Sequence, residues 1–129
     1  MKSRESLIRL KRFQVEEKRR QVAQIEVTIA EFERMARELN EQVVAEQERS
    51  GIRDAGHFAY STFAKAATQR RDNLAASERA LQAQLAAAKA QSEEAAAELA
   101  KLEAIAERDQ ATADKHSPHM PRGAASAHA

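Results

Sequence analysis

Ile8, Val15, Val22, Ile29, Ala36 and Val43 recur at every seventh position through the first third of the chain. Ile25, Phe32 and Leu39 repeat the same step three positions on. This is an a/d heptad seam, and it restricts the chain to a long α-helix packed lengthwise on another helix. A seam of this length leaves no room for a compact globular core. Function is therefore expected along or at the ends of a helical rod.

Composition supports the same reading. Among 129 residues there are five aromatics (four Phe, one Tyr), no Trp and no Cys, while 32% are charged. Scarce core-filling aromatics beside abundant Ala, Glu, Gln, Arg and Lys mark coiled coils and long helices. Without Cys there is neither a disulfide framework nor a thiolate metal site, which suits a reducing cytoplasm. The opening Met1-Lys2-Ser3-Arg4-Glu5-Ser6 lacks the apolar run of a secretory signal, and no segment reaches the ~18 apolar residues of a membrane span. A cytoplasmic protein is expected.

The first helix is predicted from about residue 3 to about 49, roughly 65–70 Å at ~1.5 Å per residue, with Ser3 as a fair N-cap. No Gly or Pro falls between Glu5 and Arg49, and Ser50-Gly51 is a clear stop. A turn is expected over about 50–57. Asp54 is the candidate N-cap for a second helix over about 58–114, with residues 55–60 irregular or a single turn ahead of its main body. The second seam runs Tyr60, Ala67, Leu74, Leu81, Ala88, Ala95 and Leu102, joined by Ala64, Leu85, Leu99 and Ala106. Arg71, Glu78 and Ser92 interrupt it.

So short a connection makes the helices antiparallel. The fold class is all-α: a long two-helix antiparallel coiled-coil hairpin over residues 1–115. With the turn centred near Arg53, Phe32 is expected near Leu74, and Ile8 near Glu98 and Leu99. Residues 116–129, with Pro118, Pro121 and Gly123 and no apolar period, are expected to form a disordered tail. A monomeric hairpin and a homodimer of extended helices both remain open.

Charge is blocked along the chain. Residues 1–20 hold eight Lys/Arg against three Glu, a local +5, and residues 21–50 hold three Arg against seven Glu, a local −4. The hairpin register lays the basic start against Glu93, Glu94, Glu98 and Glu103. Exposed pairs of this kind select register more than they stabilise.

Catalytic motifs are missing. There is no G-x-x-x-x-G-K-[ST] phosphate loop, no H-E-x-x-H and no G-x-S-x-G, and a two-helix rod offers no concave site. The many Glu residues read as a solvated helix face. His116, His119 and His128 lie in the expected tail, where metal ligands would not be preorganised; His57 is placed to cap or line the hairpin end. The chain is read as a non-enzyme without cofactor or metal.

Two surfaces stand out. Phe58, Tyr60 and Phe63 cluster after the turn, either plugging the hairpin end or forming a docking patch; Tyr60 faces the seam, and Phe58 and Phe63 are the better candidates for exposure. Arg71 lands near the seam, where it snorkels outward or marks an opening. At the other end, Leu10 and Phe13 lie off the seam within a basic segment, which favours burial by a partner. That segment fits anionic lipid, nucleic acid or an acidic protein cavity.

Longer strings carry a resemblance. Met1-Lys2-Ser3-Arg4-Glu5-Ser6-Leu7-Ile8-Arg9-Leu10-Lys11-Arg12-Phe13-Gln14-Val15, Glu17-Lys18-Arg19-Arg20-Gln21-Val22-Ala23-Gln24-Ile25, Ser50-Gly51-Ile52, His57-Phe58-Ala59-Tyr60 and Gln69-Arg70-Arg71-Asp72-Asn73-Leu74 resemble the FliJ family of bacterial flagellar export proteins, in its alphaproteobacterial form. The likeness covers roughly residues 1–110. It implies a cytoplasmic antiparallel hairpin similar to the stalk of rotary ATPase γ subunits, acting in flagellar type III export at the inner membrane. Its implied partners are the hexameric export ATPase, the membrane export gate and export chaperones; nucleic acid is not among them. In the γ-like arrangement the paired termini enter the ATPase ring, which places Leu7, Arg9, Leu10, Arg12 and Phe13 there. The turn-proximal half, with Phe58, Phe63 and Arg70, is left for the gate and chaperones. The main alternative is a generic coiled-coil adaptor that binds anionic membrane or nucleic acid through its basic N-terminal segment.

Overall fold

A computed structural model describes residues 2–116, with side chains described over residues 3–115. Two helices account for nearly all of it: α1, Lys2–Ser50, and α2, Thr62–His116, packed antiparallel. No strand occurs among the described residues. The expected disordered tail lies outside them, except for His116, which closes α2. Ser3, expected as the N-cap, falls inside the first turn of α1.

The stop of α1 is where the sequence places it. Gly51 takes φ +74°, and its N–H donates to the Gln47 carbonyl at 2.8 Å, a left-handed cap on the end of the helix. α2 begins at Thr62, so residues 55–60 are the irregular stretch expected ahead of the main helix and not part of a helix from about 58. Asp54 does not cap this helix. Its carboxylate accepts from the Gly56 N–H at 2.9 Å and its carbonyl from the His57 N–H at 3.0 Å, closing a tight turn instead. His57 Nδ1 then accepts from the Ala59 N–H, and the His57 carbonyl accepts from the Tyr60 N–H, each at 3.0 Å. Ser61 is the true N-cap: its Oγ accepts from the Ala64 N–H at 3.2 Å, and its carbonyl receives the first helical bond from Lys65 at 3.1 Å.

The connection is thus residues 51–61, and its midpoint is position 56 rather than 53. Facing positions should sum to about 112 (50 + 62) instead of 106 (53 + 53). The chain divides into two compact units, residues 17–92 and residues 2–16 with 93–116, and both obey the later register.

In the unit of residues 17–92, Arg71 Nη1 donates to Asn40 Oδ1 at 2.7 Å (sum 111), and Lys18 Nζ donates to Gln91 Oε1 at 3.3 Å (sum 109). Leu74 shares a groove with Met35 and Leu39, and Phe32, its expected neighbour, does not line it. Ile29, Val43, Tyr60, Ala64, Ala67 and Ala88 are buried. Val22, Ile25, Phe32, Leu39, Leu74, Leu81 and Leu85 are half-buried along the same seams. Large residues of α1 therefore meet a seam rich in Ala on α2. Full burial of an aliphatic side chain is worth about 1.5–3 kcal/mol, so Ile29 and Val43 are principal contributors here.

In the unit of residues 2–16 with 93–116, Val15 is the one buried large side chain among the described residues, with Ile8, Leu99, Leu102 and Ala106 half-buried. Ile8 lines a cleft with Ala106 and Asp109, two turns beyond the expected Glu98 and Leu99. The longer connection causes this shift too. Arg12 pairs with Glu103 at 2.8 Å, Lys11 with Glu98 at 3.2 Å, and Arg4 with Asp109. The expected acidic partners Glu98 and Glu103 are engaged, and Asp109 joins them.

Candidate functional site

Near the start of α1, residues that belong to neither seam position point outward. Leu7, Leu10 and Phe13 succeed one another at three-residue steps and all are exposed, Leu10 to 50% and Phe13 to 60%. They do not lie in a field of free cations. Arg4, Lys11 and Arg12 are neutralised across the helices, and Arg20 is held by Glu17 one turn back. Arg12 is thus an ion-pair partner of Glu103 rather than a free recognition group. Arg9 is exposed, with no side-chain partner among the described residues.

The aromatic cluster after the turn divides in two. Tyr60, 8% exposed, closes the end of the seam, and its hydroxyl accepts from Gln47 Nε2 at 3.1 Å. Phe58 is 96% exposed, stacked on the His57 ring with centroids 4.7 Å apart, and Phe63 is 54% exposed. The expected placements are therefore found, Tyr60 inward and Phe58 and Phe63 outward. No ring contact joins Phe58 to Phe63 among the described residues. Arg70 is exposed on the rim of an open groove of about 420 Å³, with Met35, Glu38, Leu39, Gln42 and Leu74 among its other walls.

Comparison with family models, curated proteins and solved structures gives no match to this chain.

The chemistry of these sites is one of surfaces. Among the described residues no group of three His, Cys, Asp or Glu could hold a metal ion, and no helix is long and apolar enough to cross a membrane. The ionisable groups with displaced equilibria lie at helix contacts. Glu78, at a seam position, has its carboxyl raised above the ordinary range, first by desolvation, then by the hydrogen bond and repulsion of Glu33, with Arg79 opposing. Glu46 is lowered by its hydrogen bond to Arg49, and further by one to Ser61, despite some desolvation. Arg71 resolves as a snorkelling residue: its guanidinium leaves the seam to bind Asn40, and also Asp72 at 3.3 Å.

Met35 is the contributor that the periodicity missed. It stands one position before the seam residue Ala36, lines the groove with Leu39 and Leu74, and is 39% exposed. Val27, Val44 and Ile105 are further exposed apolar residues that the heptad pattern does not flag.

Proposed function

We propose that this chain is a non-enzymatic component of the bacterial flagellar type III export apparatus, coupling the export ATPase ring to the membrane export gate and holding export chaperones. The reading rests on the resemblance of residues 1–110 to the FliJ family. The observation that carries it furthest is the exposure of Leu10 and Phe13 on a well-formed helix beside two cations, Lys11 and Arg12, that are paired across the helices. Large apolar side chains so placed act as anchors for a protein pocket. In this reading Leu7, Arg9, Leu10 and Phe13 engage the ATPase ring and Arg12 orients the segment through Glu103. Phe58, Phe63 and Arg70 face the gate or the chaperones. The protein works at the cytoplasmic face of the inner membrane, held there by its partners. The hairpin acts by differential contact, favouring those ring and gate states that accommodate it.

A generic adaptor for anionic membrane or nucleic acid is the weaker reading, because Arg4, Lys11 and Arg12 are neutralised within the chain. One experiment separates the two. Leu10→Asp with Phe13→Asp should leave helicity and the melting midpoint unchanged while abolishing capture of the flagellar export ATPase and motility. Normal motility at normal protein level would refute the export assignment. Vesicle or DNA binding that falls steeply with added salt would support the adaptor.

A further inference from the structure

The two sides of the hairpin that flank its seam differ in charge within residues 17–92. On one side Gln21, Thr28, Met35 and Gln42 follow one another at seven-residue steps along α1, and Ser77, Gln84 and Gln91 do so along α2. None is charged. Met35, Gln42 and Ser77 line the groove described above, and Gln21 and Thr28 line a second one with Ile25 and Leu81. On the other side the equivalent steps carry Arg19, Glu26, Glu33, Asn40 and Gln47 on α1 and Thr68, Ala75, Gln82 and Lys89 on α2. The grooved side thus combines sparsely charged rows with partly open seam leucines, while the opposite side carries more charge along α1.

We infer that the grooved side of residues 17–92 is a self-association face, on which a second copy of this chain packs to form a four-helix assembly. Three observations select this occupant. First, the area fits: 31 residues of α2 (62–92) at ~1.5 Å each, beneath a pair of helices ~20 Å wide, present roughly 900 Å² per copy. A stable interface needs about 800 Å² per partner, and a lone helix ~11 Å wide would cover only about half of the face. Second, a two-fold interface brings a surface against itself, so a face whose middle stretch, Gln21 to Gln42 and Ser77 to Gln91 along the two rows, is uncharged limits the self-repulsion that a single-sign face would incur. Third, the groove carries one charge of each sign, Glu38 and Arg70, which a two-fold axis can set against their counterparts. Such a dimer covers Arg70 and the flank bearing Phe63, and leaves Leu10 and Phe13 outside the face. It is independent of the export assignment, and would withhold the surface of Phe63 and Arg70 while leaving Leu10 and Phe13 accessible.

Sedimentation of the full chain at micromolar concentration tests this. The expected result is twice the 14.3 kDa chain mass. Met35→Glu with Ser77→Glu should return the single-chain mass with unchanged far-ultraviolet circular dichroism, while Ala23→Glu with Ala86→Glu, on the charged side, should remain dimeric. A wild-type monomer overturns the inference, and so does a dimer insensitive to Met35→Glu with Ser77→Glu. Should that variant lose helicity, a spin label on Gln42→Cys, unique because the chain has no Cys, gives a second reading. Dipolar coupling between copies supports the face, and its absence overturns it.

Discussion

The two compact units are built from the same heptads yet held by different forces. Residues 17–92 bury Ile29, Val43 and Tyr60 against Ala64, Ala67 and Ala88, and tie the turn with Tyr60–Gln47 and the Ser61 cap. Residues 2–16 with 93–116 bury Val15 and rely on the ion pairs of Arg4, Lys11 and Arg12. Packing resists salt and pH; exposed ion pairs are worth about 0–1 kcal/mol each and are screened. The difference teaches that one periodic pattern can produce a firm segment and a yielding one. The yielding one carries the exposed Leu10 and Phe13.

The comparison can be broken most directly at Ile29. Ile29→Ala should cost about 3 kcal/mol, within the usual range for a buried aliphatic, and Val15→Ala clearly less. Equal losses in chemical denaturation would mean that the two units do not differ in packing. Next in size is Gly51→Ala. A Cβ there meets nothing within 4 Å, so the expected loss of roughly 1–2 kcal/mol comes from the positive φ alone. A melting curve unchanged by this substitution would show that the left-handed cap does not hold the turn.

Salt sharpens the contrast. Raising ionic strength from ~0.1 to ~1 M shortens the Debye length from ~10 to ~3 Å, so amide exchange should quicken at residues 5–16 more than at 25–45. Uniform quickening would contradict the electrostatic account. The smallest effect concerns Glu78. Its raised carboxyl favours the protonated folded state, so the repulsion from Glu33 weighs on stability above that raised value and is relieved as pH falls through it. Glu78→Gln should therefore raise the melting midpoint slightly at neutral pH and lose its advantage on acidification. A gain that is independent of pH would place the effect elsewhere.

Much of this architecture is legible in the sequence, because burial of a helix face follows directly from period. The a/d positions from Ile8 to Val43, and those from Tyr60 to Ala106, are the buried and half-buried stripes of the two helices. The same period sorted Tyr60 inward and Phe58 and Phe63 outward. Register was less legible. Asp54 and Ser61 are both good caps, and only the competing turn bonds of Asp54 and His57 decide between them. That choice displaced Ile8 from Leu99 to Ala106. Whether Arg12 is free or paired, and whether Met35 borders a groove, depends on what the other helix presents, so neither is written in the local pattern.

Among the described residues no large side chain is sealed completely from solvent. Melting such a hairpin therefore wets comparatively little new hydrocarbon for the number of peptide bonds released. The heat-capacity step should be modest for a chain of this length, and the curve of stability against temperature correspondingly shallow. A protein of this construction loses grip gradually on warming and gives up little on cooling.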